Sequence, residues 1–143
     1  MALMRASIFL LSTAFVAVGW AGRSERSLVG GWKTQDPTDP RFVNLAHYAV
    51  STQVEGRQYY DTVLQLLEAE TQQIVAGVNY KLKFTTTQST CKVGKVDYSQ
   101  ELCQPKSNEA DAVCTTTIYT VPWQDIKRVL SYHCEAPGNL QSL

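Results

Sequence analysis

The chain has 143 residues, 44% of them hydrophobic and 18% charged, with 13 Lys and Arg balanced by 13 Asp and Glu; this suffices for one domain with a modest core and falls short of two. No cationic run accompanies the balance, which argues against a nucleic-acid partner or an anionic membrane surface, since either leaves a clustered basic footprint. No Asn-x-Ser/Thr triplet occurs, so N-glycosylation is not expected.

At the N-terminus Arg5 precedes an apolar run from Ala6 to Val18, closed by the small and aromatic residues of "AVGWAG". This is the pattern of a secretory signal peptide over residues 1–22, with Gly19, Ala21 and Gly22 each fitting its last position. The apolar stretch is shorter than the roughly 20 residues a bilayer span needs. The chain is therefore expected to be secreted and extracellular, with no membrane association after cleavage. Residues 23–143 read as a single domain. Of the 13 basic residues only Arg5 precedes it, so it carries a formal net charge of −1. Its first segment, 23–36, is polar and glycine-containing apart from "LVGGW" and is expected to be a flexible arm.

A helix follows. Asp39 is placed to cap it, Pro40 suits the first helical position, and Phe42, Leu45, Ala46, Ala49 and Val50 recur at helical spacing. Gly56 is expected to break it. In residues 58–71, Tyr60, Val63, Leu64 and Leu67 fit a helix as well as a strand, and the helix-forming "LLEAE" tips the pattern towards helix. From 78 to 86 the alternation is unambiguous: Val78, Tyr80, Leu82 and Phe84 share one face, and Asn79, Lys81, Lys83 and Thr85 the other, as in a half-buried strand. Residues 92–112 read as an irregular excursion. The runs "VCTTTIYTV" (113–121) and "IKRVLSYHC" (126–134) make two further strands around "PW" at 122–123. A helix with antiparallel strands indicates an α+β domain, the helix packed on one face of the sheet.

The four cysteines all lie beyond residue 90. In an exported protein they imply two disulfides with three connectivities. The sequential one, Cys91–Cys103 with Cys114–Cys134, closes two short separate loops, and the second pair would face across the hairpin whose tip is "PW". The spacings are not those of a zinc site, and no cofactor is expected. With every cysteine oxidised, no thiolate nucleophile remains.

"QIVAG", Gln73 to Gly77, puts apolar residues where polar punctuation would be expected between strands. Two readings of this turn stand. Ile74 and Val75 begin a buried strand while Trp123 enters the core, or both tips stand exposed at one end of the sheet as an apolar recognition surface. At these residues the chain resembles a secreted type 2 cystatin: "LVGG" (Leu28 to Gly31), Gln73, Ile74, Val75, Ala76 and Gly77, then Pro122 and Trp123, with four cysteines after the first hairpin. The similarity covers about residues 27–135.

The resemblance implies the cystatin fold, one long helix packed on a five-stranded antiparallel sheet, and so turns 58–71 from helix to strand. It implies reversible, tight-binding inhibition of papain-like cysteine proteases such as cathepsins, through a wedge that occludes the active-site cleft. The wedge would comprise Leu28, Val29 and Gly30 of the arm with the two tips, Leu28 and Val29 filling non-primed subsites. Family members that also inhibit legumain use an asparagine in the loop after the helix. None lies between Asn44 and Asn79 here, so legumain inhibition is expected to be absent. A monomer is expected, with a domain-swapped dimer as the alternative if Val75, a β-branched residue at the tip, is held in a strained left-handed conformation.

Two rival functions stand against this one. An enzyme would need a catalytic set, but His47 on the helix and His133 beside a cysteine have no partner motif, and Glu68 with Glu70 reads as a solvated face. A non-inhibitory secreted binding or immunomodulatory module on the same scaffold would have no reason to keep all three wedge motifs.

Overall fold

The helix begins where a capping side chain meets a proline. The Asp39 carboxylate accepts a hydrogen bond from the Arg41 backbone N–H at 2.9 Å, and Pro40 follows, where a missing N–H leaves nothing unsatisfied. The computed structural model describes residues 30–138. In chain order it contains β1 (Trp32–Gln35), α1 (Pro40–Ser51), β2 (Tyr59–Ile74), β3 (Gly77–Lys92), β4 (Ala112–Val121) and β5 (Ile126–Glu135). The strands form one antiparallel sheet in the order β1-β2-β3-β4-β5. Helix α1 lies on one face, where Phe42, Ala46, Ala49 and Val50 pack against Leu66, Ala69, Leu82, Phe84 and Ile118.

Two expectations are corrected and a third is borne out. Helix α1 stops at Ser51, ahead of Gly56. The hydroxyls of Ser51 and Thr52 donate to the carbonyls of Tyr48 (2.6 Å) and Ala49 (2.7 Å), and these side-chain bonds satisfy the last turn before the glycine is reached. Gly56, with φ +70°, instead belongs to the turn into β2. The segment 23–36 is not flexible throughout, because Trp32–Gln35 pairs with β2 from Trp32↔Gln72 to Gln35↔Ala69. Four residues are too few to show alternation, and their partner lies far along the chain. Residues 59–71 form most of β2, as the resemblance implied and against the helical pattern of the segment itself. The register slips between Val63 and Gln65 and again between Leu66 and Glu68, so Val63, Leu66 and Ala69 all come to the helix side at a spacing of three. A bulged strand thus imitates the period of a helix.

The excursion between β3 and β4 is closed at its base by Cys91–Cys103, and Cys114 bonds to Cys134 directly across the β4–β5 ladder. Replacing Cys114 and Cys134 by serine is expected to cost about 2–4 kcal/mol, the usual yield of closing a loop of this size in the unfolded chain. Urea unfolding of the variant against the parent measures it; a difference below about 1 kcal/mol would contradict the expectation.

Candidate functional site: two hairpin tips and the base of an arm

The β2–β3 connection is a two-residue loop. Ile74 pairs with Gly77, leaving Val75 and Ala76 at the turn. Val75 is 93% exposed and Ala76 is exposed as well, so this turn does not begin a buried strand. Gly77 is buried and has φ +135°, and a Cβ there would lie 2.2 Å from the Thr120 carbonyl oxygen. Only glycine lets β3 leave the turn this close to β4. The strain expected at Val75 is not found. Among the described residues other than glycine, the single positive φ belongs to Asp125, and Gly77 absorbs the unusual backbone of the first tip.

The second tip follows from the same strand pairing. Val78 pairs with Thr120, so the residues just beyond β4 emerge beside the first turn. Pro122–Gln124 form one 3₁₀ turn, and Asp125 closes it in the left-handed conformation (φ 54°), its N–H donating to the Pro122 carbonyl at 3.3 Å. Asp tolerates that conformation better than most residues. The turn holds the Trp123 ring outward, 67% exposed. A hydroxyl bond links the tips, since Tyr119 donates to the Ala76 carbonyl at 2.7 Å.

The arm enters at the same end. Trp32 opposes Gln72 on β2, and the Gln72 side-chain N–H donates to the Gly30 carbonyl at 2.6 Å. Gly30 is exposed, with φ +116° and open space where a Cβ would be. Gln73 is exposed and Ile74 half-buried. Gly30, Gln73 to Ala76, Pro122 and Trp123 therefore share one edge, with Gly77 beneath. Leu28 and Val29 lie outside the described residues. Sequence reasoning missed Gln72, Tyr119 and Asp125, which support this edge. Asp125 carried a usable signal, an aspartate closing a short proline-led turn, whereas the other two are defined only by register.

Among the described residues no acid/base constellation competes with this edge. His47 is buried, its Nδ1 2.5 Å from the Tyr98 hydroxyl, which sits 3.0 Å from the Thr62 hydroxyl. Burial pushes the His47 pKa down to about 4. His133 is exposed beside Glu135, Glu68 is exposed, and Glu70 lies 3.7 Å from Lys81. All four cysteines are in disulfides. The His47 shift has a consequence for stability. Folded His47 binds its proton near pH 4 and an unfolded one near 6.5, so between them the unfolded chain holds more protons and stability falls as pH falls. The loss is about 2 kcal/mol after allowance for solvent screening. Asp61, raised by burial against the opposing Arg57 charge, works in the other direction from its usual range upward. Urea unfolding at pH 7.5 and 4.5 is expected to show the loss, and His47→Gln to flatten it; an unchanged slope in the variant would show that other groups set it.

A single helix across a five-stranded antiparallel sheet, with two apolar tips and the foot of an arm at one end, is the architecture of a cystatin-type inhibitor. Comparison with known proteins gives the same class: the cystatin domain family matches residues 30–123. The chain is 70% identical to mialostatin of Ixodes ricinus over 141 residues, 98% of this chain and 100% of that one. It is 49% identical to cystatin-2 of Ornithodoros moubata over 129 residues, covering 90% and 99%. The crystal structure of mialostatin, described as a gut cystatin from a hard tick, matches with a TM-score of 0.72 at 80% identity, over 75% of this chain and 99% of that chain. The chain belongs to the cystatin family, as a type 2 cystatin, and so is a cysteine protease inhibitor and not an enzyme.

Proposed function

We infer that this chain is exported on a signal peptide spanning residues 1–22 and acts outside the cell as a monomeric, tight and reversible inhibitor of papain-like proteases of the cathepsin class. The wedge consists of Leu28, Val29, Gly30, Gln73 to Gly77, Pro122 and Trp123, and it inhibits by filling the active-site cleft. The observation that carries this reading is the joint exposure of Val75 and Trp123 at the edge that also holds Gly30. Their neighbours in the tips, Gln73 to Gly77 and Pro122, are all uncharged, so the tips lose little on leaving water. A wedge already braced in its bound shape gives up little conformational entropy, and apolar burial on that basis supports nanomolar dissociation constants, about −12 kcal/mol. Cystatin relatives from ticks, one described as a gut protein, are in keeping with extracellular action. The loop after α1 lacks asparagine, and legumain inhibition is absent on this reading.

Hydrogen-exchange footprinting of the complex with papain tests the mode of binding. Protection is expected at residues 28–31, 73–77 and 121–124 together. Protection confined to the 92–111 excursion would assign binding to another surface and favour a non-inhibitory module.

A further inference from the structure

The outer face of the sheet, opposite α1, carries a row of side chains immediately behind the two tips. Its members are fixed by register: Trp32 opposes Gln72, Gln72 opposes Asn79, and Asn79 opposes Tyr119. Three hydrogen bonds run from this row. Asn79 Nδ2 donates to Gln72 Oε1 at 3.0 Å, Gln72 Nε2 donates to the Gly30 carbonyl at 2.6 Å, and the Tyr119 hydroxyl donates to the Ala76 carbonyl at 2.7 Å. The orientation of the Gln72 amide follows from its neighbours. Turned over, its oxygen would face the Gly30 carbonyl and its NH2 would face that of Asn79, losing both bonds. The Gly30 carbonyl can only accept and so sets which way Gln72 points; Asn79 completes the chain by turning its NH2 to Gln72 while its own Oδ1 is left without a protein partner, and Gln72 holds the residue from which the arm departs.

We propose that Gln72, braced by Asn79, is a positioning residue of the inhibitor: it latches the chain at Gly30, beside the two tips, at the residue that joins the domain to the segment carrying Leu28 and Val29. This rests on the wedge reading of the preceding section. Gln72 touches the protease in no necessary way. It acts by removing freedom from the arm before binding, which lowers the ordering that association would otherwise require. Tyr119 does the same for the first tip, so one row of side chains aligns two of the three binding segments.

The test is a double-mutant cycle in the full mature chain. Gln72→Glu keeps an acceptor for Asn79 but replaces the donor to Gly30 with a carboxylate oxygen. Its papain dissociation constant is expected to rise about fivefold, the worth of one polar hydrogen bond, through faster dissociation. In the Leu28→Ala/Val29→Ala background, whose arm has no large apolar side chains to place, the same substitution is expected to change it less than about twofold. Equal effects in the two backgrounds, or none in either, would overturn the latch. In the free protein, Gln72→Glu is also expected to lower the backbone 15N order parameters of Gly30 and Gly31 at an unchanged melting temperature; unchanged order parameters would likewise overturn it. This second readout is independent of inhibition. A parent protein that fails to inhibit papain refutes the wedge reading while the order parameters still decide the latch.

Discussion

Trp123→Ala is expected to raise the dissociation constant for papain about a hundredfold and to leave the melting temperature within about 2 °C of the parent. Both halves follow from where the ring sits. At 67% exposure it contributes little to the core, and substitutions at such positions commonly change stability by less than about 0.5 kcal/mol. An aromatic anchor at the centre of an interface is worth about 2–4 kcal/mol on truncation, which converts to some thirtyfold to a thousandfold in affinity. Paired measurements of inhibition and thermal unfolding on the one variant separate the two effects. Unchanged inhibition would remove the second tip from the wedge. A large loss of stability would mean that the ring packs against the domain.

Gly77→Ala is expected to fail in the opposite way, through the fold. The new methyl group would meet the Thr120 carbonyl oxygen at 2.2 Å, and the backbone at φ +135° suits no L-residue. The contact is with backbone on the neighbouring strand, so no side chain can swing aside; β3 and β4 must separate locally. Strain of this kind costs about 1–3 kcal/mol before the displaced ladder is counted. A total near 3 kcal/mol lowers the melting temperature by roughly 10 °C in a domain of this length. Because the same contact sets the first tip beside the second, inhibition falls with stability. Thermal unfolding with an inhibition assay at 25 °C reads both. A variant with the parent's melting temperature would show that the strands accommodate a Cβ.

The contrast between these glycine and tryptophan positions marks what a sequence discloses. The start of α1 was legible because Asp39 and Pro40 act on their immediate neighbours, and β3 was legible because Val78, Tyr80, Leu82 and Phe84 alternate without interruption. Strand β2 was not legible from its own residues, since two register slips bring Val63, Leu66 and Ala69 to one face at a helical interval. The resemblance to cystatins supplied the strand that the pattern withheld. Strand β1 exists through Gln72 to Ala69, contacts that no window around Trp32 contains. The tip motifs could be picked out as odd apolar turns, yet the chemistry that fixes them could not. A β-branched residue sits badly at positive φ, which points to Val75 in the sequence, whereas the chain puts that conformation on Gly77 and on Asp125. Gln72 and Asn79 look in sequence like ordinary surface amides; only the pairing of two strands brings them into one line with Gly30.

The most direct measurement is a titration of papain and a small set of cathepsins with the refolded mature protein, both disulfides formed, at enzyme concentrations above the dissociation constant and with a fluorogenic substrate. A wedge that fills the cleft predicts a linear fall in activity to zero at one equivalent, recovery on dilution, and inhibitor returned uncleaved. A folded sample that leaves every one of these proteases active at micromolar concentration would contradict the account.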